Sequence, residues 1–480
     1  MANEKPLVLD VDGTFLKTDM LFECFWAGLG KAPFQTLQAC LQNFGDRARL
    51  KQELAQIAGL RTELLPVNAE VNDLAKVAAS HGCDIILASA SDEQLVRKLA
   101  EEHEFSAEVI ASDGVTNMKG AAKADALVTR YGEKGFHYAG NEAADIPIWE
   151  KADGAIVVGQ PKIAETLQQA GHNVTEVENS VSLKDIYRTM RPHQWVKNIL
   201  MVLPLIAAHQ FDLQSWLLVL LGMVAFSAAA SSIYLVNDLL DLEADRLHVK
   251  KCKRPFAAGL VPIKYGMLGF VVLAGIALGV GAALGPAFLG VILLYVALSL
   301  AYSMRLKRMR WIDIAVLATL YTLRVVAGAA ATGVEASGYM LLFILPIFLT
   351  LGCVKRLTEL TLATGDERLP GRGYGRKDRS DLINVGSLGI VGALLLFFFY
   401  SISDHALSLY PIQWLLWLAL VPIAIWLIRM LVLGYQGKQD YDPIVFALTD
   451  KIGLGILFFT LSLMFYAAGL WQRWFQVWAG

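Results

Sequence analysis

Residues 237–245 carry the acidic side chains whose spacing best fits a chemical role in this chain. They follow an apolar run that is long enough to cross a bilayer. On a helix, Asp238, Asp241 and Asp245 stand at positions i, i+3 and i+7, so they point the same way, with Asn237 beside them. Inserting one such charge into a membrane costs roughly 2.5–3.5 kcal/mol. A divalent cation offsets that cost and binds phosphate oxygens, so the spacing predicts a magnesium–diphosphate site; the alternative is a solvated acidic helix end.

The composition around this segment is that of a membrane protein. Hydrophobic residues make up 55% of the chain and charged residues only 18%, which departs from ordinary globular usage. Residues 1 to about 180 have the charge density of a soluble domain, and apolar stretches follow one another from about Asn198 onward. About nine of these stretches approach the roughly 20-residue length of a transmembrane helix: near 196–211, 215–237, 264–283, 286–304, 312–331, 338–355, 386–402, 411–434 and 452–471.

The charges of the loops predict an orientation. Loops 241–264, 305–310 and 355–379 are rich in Lys and Arg, whereas the alternate loops contain neither. By the positive-inside rule, the basic loops and the N-terminal domain of this multi-pass protein are cytoplasmic. The expected location is the inner (cytoplasmic) membrane of a bacterium. The net charge of -2 gives no sign of nucleic-acid binding, and five scattered cysteines predict neither disulfides nor a zinc site. The sequence leaves the oligomeric state open.

A second pair of carboxylates follows a short apolar strand near the N-terminus. Asp10 and Asp12 are two residues apart, and the carboxyl end of a parallel strand is where doubly wound sheets bind ligands. The stretch Asp-Val-Asp-Gly-Thr at 10–14 resembles the first motif of the haloacid dehalogenase-like phosphatases. The resemblance implies that Asp10 attacks phosphorus and that Asp12 passes a proton to the leaving oxygen.

Three further stretches follow in the order of that family. The resemblance implies that Ser89, at the end of a second strand, binds the phosphate, and that Lys119 or Lys123 neutralises it, with the position on a helix favouring Lys123. It also implies a magnesium ion held by Asp10 and Asp12 together with Asn141 and Asp145, although the family usually has an acid where Asn141 stands. An inactive phosphatase fold is the alternative, because this departure removes one charge from the metal site.

The resulting prediction for the architecture has two parts. Residues 1–180 form an α/β Rossmann-like phosphatase domain with a small helical cap at about 15–67. Residues 185–480 form an all-α polytopic membrane bundle of about nine transmembrane helices.

Four polar clusters recur at the predicted cytoplasmic helix ends of the second domain. Lys and Arg that converge on metal-bound acids would bind phosphorylated substrates. The alternative, for any single cluster, is that its basic residues only set the orientation of the helices in the membrane. The candidate substrate-binding residues are Arg191, Lys197 and Asn198; Arg246, Lys250, Lys253 and Arg254; Tyr302, Arg305 and Lys307; and Lys355, Arg356 and Glu359.

The second domain resembles the UbiA superfamily of intramembrane prenyltransferases. The Asn-Asp-x-x-Asp-x-x-x-Asp motif at 237–245 and the Tyr-Ser-x-x-Leu-Lys loop at 302–307 carry the resemblance. The usual second Asp-rich motif is reduced to Asp313. The stretches at 191–198 and 355–359 are more similar to the decaprenyl-phosphate phosphoribosyltransferase branch. That resemblance implies phosphoribosyl diphosphate as donor and a polyprenyl phosphate lipid as acceptor.

The two resemblances together predict consecutive reactions. Magnesium-dependent transfer of 5-phosphoribose to the lipid, with Asp241 and Asp245 as catalytic residues, would be followed by removal of the product's 5-phosphate by the N-terminal domain, for cell-envelope glycan synthesis. One alternative is prenyl transfer from a prenyl diphosphate to an aromatic acceptor, with an unrelated or inactive phosphatase domain. Another is a transporter of lipid-linked sugar.

Overall fold

The computed structural model describes residues 5–106, 108–335, 337–363, 372–439 and 442–475. The chain divides into two compact units, and each is discontinuous in sequence. The first comprises Met1–Met190 with Tyr234–Val271, and the second comprises Arg191–Ile233 with Val272–Gly480. Residues 364–371 of the predicted basic loop 355–379, and the last five residues of the predicted second domain, lie outside the described residues.

The first unit is built on a six-stranded parallel sheet in the order β3-β2-β1-β4-β5-β6. The strands are β1 (Leu7–Asp10), β2 (Ile85–Asp92), β3 (Val109–Ser112), β4 (His137–Gly140), β5 (Gly154–Val158) and β6 (Asn173–Val177). β1 is buried along its length and lies between β2 and β4. The strand order therefore reverses direction at β1, and ligands of doubly wound sheets bind beside such a reversal, at the carboxyl ends of the strands.

Helices cover both faces of this sheet. Those of residues 1–190 are α1 (Met20–Lys31), α2 (Pro33–Gln42), α3 (Arg47–Ala58), α4 (Ala69–Ser80), α5 (Glu93–Glu102), α6 (Ala121–Tyr131), α7 (Ile146–Trp149), α8 (Pro161–Gln169) and α9 (Leu183–Thr189). The first three occupy the insert that the sequence predicts to be helical. Asp19 and Asp46 accept backbone N–H groups at the starts of α1 and α3, which is the usual role of Asp at a helix N-cap.

Long apolar helices dominate the rest of the chain. They and the short helices between them are α10 (Leu203–Ala207), α11 (Leu213–Leu240), α12 (Leu242–Leu247), α13 (Ile263–Leu284), α14 (Pro286–Met304), α15 (Ile312–Thr332), α16 (Gly338–Leu362), α17 (Arg379–Ser401), α18 (Asp404–Leu409), α19 (Gln413–Tyr435), α20 (Pro443–Ala447), α21 (Lys451–Ala467) and α22 (Leu470–Phe475). Seven of them, within the part of the chain that is described, are long and apolar enough to cross a membrane: α11, α13, α14, α15, α16, α17 and α19.

The expected count of nine spans differs at two places. The first expected span, 196–211, is a 3₁₀ helix over Pro192–Val202 followed by the short α10. Pro204 lies inside the expected span and has no backbone N–H donor, so a continuous α-helix through this position is disfavoured. The last expected span, 452–471, contains α21 of 17 residues, which is shorter than an untilted crossing of the hydrocarbon layer needs.

Candidate functional sites

Asp10 and Asp12 lie at the carboxyl end of β1. The Lys123 ammonium donates to Asp10 Oδ1 over 2.6 Å, and both side chains are buried. Burial raises the pKa of the Asp10 carboxyl to about 7, although the charge of Lys123 acts in the opposite direction. Lys119, the other predicted lysine, is exposed and pairs with Glu142 at 2.9 Å. The structure therefore brings Lys123, and not Lys119, to the carboxylate.

Asp12 is held by three hydrogen bonds. Its Oδ1 accepts the backbone N–H of Met20 at 2.8 Å, and its Oδ2 accepts the hydroxyls of Ser89 at 3.1 Å and Ser91 at 2.7 Å. The sequence predicts Ser89 at this site but misses Ser91. The two-residue period of a strand places both side chains on the same face, and this spacing is the signal that identifies the second serine.

Asn141 and Asp145 complete this group, which we call the Asp10 cluster: Asp10, Asp12, Ser89, Lys123, Asn141 and Asp145. Asp145 Oδ2 accepts the backbone N–H groups of Asn141 and Glu142, both at 3.1 Å. The Asn141 side chain packs on Gly13, whose φ is +77° and where an added Cβ would lie 2.2 Å from Asn141 Nδ2. Asn141 Oδ1 is buried without a hydrogen-bond partner among the described residues, and such an unused oxygen can ligate a hard cation.

A cavity of about 1070 Å³ opens on the Asp10 cluster. Its cationic lining residues are Lys17, Arg47, Lys51, Lys119, Lys123 and Lys264, and its apolar lining includes Phe22, Phe44, Leu50 and Ile263. Part of the lining comes from residues 259–265, which follow the Asp-rich segment 237–245 in the chain and belong to the same compact unit. Five acidic residues also line the cavity: Asp10, Asp12, Asp19, Glu142 and Asp145. With six cationic side chains against these five, the cavity suits a molecule with an anionic group and an apolar part, and it is larger than a phosphate ion requires.

The Asp-rich segment keeps the helical register that its spacing predicts. Regular helix is interrupted at Asp241, but the backbone bonds from Asp241 to Asn237 (3.0 Å) and from Asp245 to Asp241 (2.8 Å) continue the pattern. Arg254 Nη1 bridges Asp238 Oδ1 at 3.1 Å and Asp245 Oδ2 at 2.6 Å. Asp245 is buried; its Oδ1 accepts no hydrogen bond from the described residues, and the Lys251 ammonium lies 3.8 Å from it.

The other basic residues of this loop have different surroundings. The Arg246 guanidinium donates to both carboxylate oxygens of Glu23, at 3.1 and 2.5 Å, and to the Ala257 carbonyl at 3.2 Å. The sequence predicts Arg246 as a substrate ligand, but its side chain is buried in this ion pair with α1 of the same unit. Lys250 and Lys253 are exposed to solvent.

Neither acidic group forms a complete metal site from acidic, His or Cys side chains alone. In the described ranges, no group of three or more His, Cys, Asp or Glu side chains has an arrangement that could hold a metal ion. The Asn141 and Asp245 oxygens that accept no hydrogen bond nevertheless fit a cation whose remaining ligands are substrate oxygens or water, as is usual for magnesium.

In the second unit, Lys197 and Lys355 converge on Asp442. Lys197 forms an ion pair with this carboxylate, and Lys355 Nζ lies 3.5 Å from it. Burial alone would raise the pKa of Asp442, but the two ammonium groups hold that pKa far below its usual range. Sequence reasoning missed Asp442 because it precedes Pro443 and resembles an ordinary helix N-cap, a role that it also has.

A second group, which we call the Arg356 network, consists of Arg356, Asp313, Glu359 and Tyr302. The Arg356 guanidinium donates to Asp313 Oδ2 at 2.5 Å, to the Tyr302 hydroxyl at 2.8 Å and to Glu359. Arg356 and Asp313 are both 0% exposed. The sequence predicts Arg356, Glu359 and Tyr302 at one site, and the structure brings them together around Asp313.

The remaining predicted residues of this unit lie outside those two groups. Asn198 is buried and accepts from Arg324 Nε at 3.2 Å. Arg191 precedes the 3₁₀ helix with a φ of +51°. Arg305 is exposed and Lys307 is half-buried.

Comparisons with known proteins show the family to which the chain belongs. The model of the UbiA prenyltransferase family matches residues 198–463, more than half of the chain. The chain therefore belongs to the UbiA prenyltransferase family, and it is an enzyme of that family with several membrane-spanning helices.

Individual relatives extend over different parts of the chain. The uncharacterized protein y4nM of Sinorhizobium fredii is 34% identical over 453 residues, covering 93% of this chain and 88% of that protein. A decaprenyl-phosphate phosphoribosyltransferase of Corynebacterium glutamicum is 34% identical over 275 residues, covering 55% of this chain and 81% of that protein. Among solved structures, a UbiA homolog from Archaeoglobus fulgidus bound to GPP and Mg²⁺ aligns with a TM-score of 0.44 at 15% identity, covering 58% of this chain and 99% of that one.

Proposed function

We propose that the chain transfers 5-phosphoribose from phosphoribosyl diphosphate to a polyprenyl phosphate and then removes the 5-phosphate of the product. The transfer is supported by the relatives named decaprenyl-phosphate phosphoribosyltransferase, which are 31–38% identical to this chain. A polyprenyl phosphate acceptor is already an anion, so its attack does not need a strong general base. Two phosphorylated substrates repel each other, so the site needs cationic side chains. Lys197 and Lys355 in the second unit provide such charges.

The Asp-rich segment is the proposed donor site. Asp238, Asp241 and Asp245 would hold magnesium, which when bound would neutralise the diphosphate as it leaves. Arg254, which now bridges two of these carboxylates, would turn to the diphosphate oxygens. Arg246 has a positioning role in this scheme, because its pairing with Glu23 fixes α12.

The Asp10 cluster is the proposed phosphatase site, in which Asp10, Asp12, Asn141 and Asp145 would hold a magnesium ion that neutralises the phosphate. Asp10 attacks phosphorus and the bond from phosphorus to the ribose oxygen breaks, while Asp12 donates a proton to that oxygen. Water then hydrolyses the aspartyl phosphate. Ser89 and Ser91 orient Asp12, and Lys123 stabilises the charge around Asp10. In total, one phosphomonoester and one water give the ribose 5-hydroxyl and inorganic phosphate, and a proton of the water returns to Asp12.

The lining of the cavity supports the proposal that the two reactions are consecutive. The cavity at the Asp10 cluster is lined in part by residues 259–265, which follow the Asp-rich segment within a single compact unit. Its size, cationic lining and apolar wall suit the head group and first lipid carbons of a phosphoribosylated lipid better than a small soluble phosphate.

Mass spectrometry of the lipid product tests this proposal. Purified protein in lipid nanodiscs is given labelled phosphoribosyl diphosphate and a polyprenyl phosphate, in parallel with Asp10→Asn. We expect wild type to yield the ribosylated lipid without a 5-phosphate and Asp10→Asn to yield the phosphorylated form. Accumulation of the phosphorylated lipid by both proteins would disprove the phosphatase step alone.

The same assay separates the alternative transfer. If no pentose reaches the lipid, and a prenyl diphosphate with an aromatic acceptor gives a prenylated product, the donor assignment is wrong while the family assignment stands. An exposed acid of the first unit, Asp73, provides the control variant Asp73→Asn.

A further inference from the structure

The helix α2 has an exposed face that is apolar. Phe34, Leu37 and Leu41 are 86%, 48% and 80% exposed, and Phe44, just beyond the helix end, is 89% exposed. Their spacing of three, four and three residues places them along one side of the helix. Thr36, Ala39 and Asn43 are buried on the opposite side.

The helix α5 of the same unit does not share this pattern. In α5, the buried side carries Val96 and Leu99, and every exposed residue is polar: Gln94, Arg97, Lys98, Glu101 and Glu102. Four large apolar side chains on one short exposed face are unusual for a water-facing surface and mark a surface that contacts something apolar.

The position of the α2 face within the first unit indicates what covers it. Cys40 and Phe44 line the same cavity as Ile263, Lys264 and Tyr265, which are the first residues of the spanning helix α13. One wall of the cavity therefore comes from the start of a membrane-spanning helix and another from the end of the apolar face. Arg47, exposed at the start of the next helix, also lines this cavity and carries a charge suited to anionic lipid head groups.

We infer that the α2 face docks on the lipid bilayer surface. The helix itself contains no charged residue, and its apolar side is flanked by glutamines and followed by Arg47, an arrangement typical of helices that lie in the membrane interface. Docking holds the mouth of the cavity at the surface where a lipid-linked substrate is found. The inference concerns a membrane contact of the N-terminal region and does not rest on the chemistry of either proposed reaction.

Spin-label accessibility in nanodiscs tests this contact on the full chain. The half-buried cysteines Cys40, Cys83 and Cys252 are replaced by Ser, and a nitroxide is attached at Leu41→Cys or, as a matched control on the polar side of the same helix, at Gln35→Cys. In nanodiscs of phosphatidylcholine and phosphatidylglycerol, we expect the Leu41 label to collide more with oxygen, which partitions into lipid, than with a water-soluble nickel chelate. The Gln35 label should show the reverse order.

Two results would overturn the inference. Equal access of the nickel chelate to both labels would mean that the face remains in water. Protection of the Leu41 label from both reagents, together with dipolar coupling between labels on two chains, would assign the face to a second copy of this chain. A label at Phe44→Cys repeats the measurement at an exposed position outside the helix, so a local effect of one substitution is separated from docking.

Discussion

Asp10 and Lys123 in the first unit, and Asp313 and Arg356 in the second, form ion pairs of nearly equal length, 2.6 and 2.5 Å. Both pairs are buried, but their surroundings differ. The first pair lines a cavity of about 1070 Å³, whereas the Arg356 guanidinium is also bonded to Glu359 and Tyr302.

This difference separates two uses of buried charge. A substrate that enters the cavity can replace one partner of the Asp10–Lys123 pair. Burial raises the pKa of the Asp10 carboxyl, as is common for groups at functional sites. In the Arg356 network, the donors already have acceptors, so the network holds helices in position. We therefore expect substitutions in the Asp10 cluster to reduce turnover and substitutions in the Arg356 network to reduce stability.

The largest effect is expected for Asp12→Asn. Loss of a general acid lowers a rate by roughly 10²–10⁴-fold, so hydrolysis of the phosphorylated lipid product should fall by that factor. The amide oxygen of the substituted side chain can still accept from the Ser89 and Ser91 hydroxyls, but the amide NH2 cannot accept from the Met20 N–H. The thermal unfolding temperature should therefore fall only by the amount expected for one lost hydrogen bond, about 1 kcal/mol.

Phosphate release and thermal unfolding of Asp12→Asn are measured in the same detergent. Asp73→Asn, at an exposed position, serves as control. Loss of stability with unchanged turnover would place Asp12 in a structural role and remove the contrast between the two regions.

Arg356→Met should have the largest effect on stability. It leaves Asp313 buried without its main partner, which costs about 3–5 kcal/mol. Thermal unfolding of the detergent-solubilised protein measures this loss, and the double variant Arg356→Met with Asp313→Asn should recover part of it. If the single variant unfolds like wild type, the network does not stabilise the second unit.

Asp245→Asn should reduce ribosyl transfer with little effect on the phosphatase reaction. Loss of one electrostatic contact to a developing charge lowers a rate by roughly 10²–10³-fold. Lipid product formed from labelled phosphoribosyl diphosphate is the measurement. Glu243→Gln, two residues away and half-buried, is the control; equal losses in both variants would point to a general disturbance of α12.

The smallest effect is expected for Lys119→Met. Its partner Glu142 is exposed, and ion pairs of this kind contribute about 0–1 kcal/mol. Because Lys119 pairs with Glu142 and not with Asp10, phosphate release by Lys119→Met should stay near the wild-type rate. Lys123→Met, which removes the buried partner of Asp10, should be severely impaired. The reverse order would show that Lys119 is the lysine that acts on phosphate.

The sequence alone predicts features that depend on residue spacing along a helix or on long runs of apolar residues. The apolar runs predicted the seven helices, among the described residues, that are long and apolar enough to cross a membrane. The i, i+7 spacing predicted that Asp238 and Asp245 share a face, as their common partner Arg254 confirms. Two further expected spans have other forms in the described residues, a 3₁₀ helix over Pro192–Val202 followed by α10 and the 17-residue helix α21, because hydropathy does not report backbone hydrogen bonding.

Only the tertiary structure decided which distant residues meet. Glu23 and Arg246 are 223 positions apart, and nothing in either local sequence marks them as partners. Asp442 resembled an ordinary N-cap until two lysines from other segments were seen to face it. Charges pair through space at a few ångströms, and that distance is set by the packing of helices and strands, whereas local sequence sets only periodicity, capping and hydropathy.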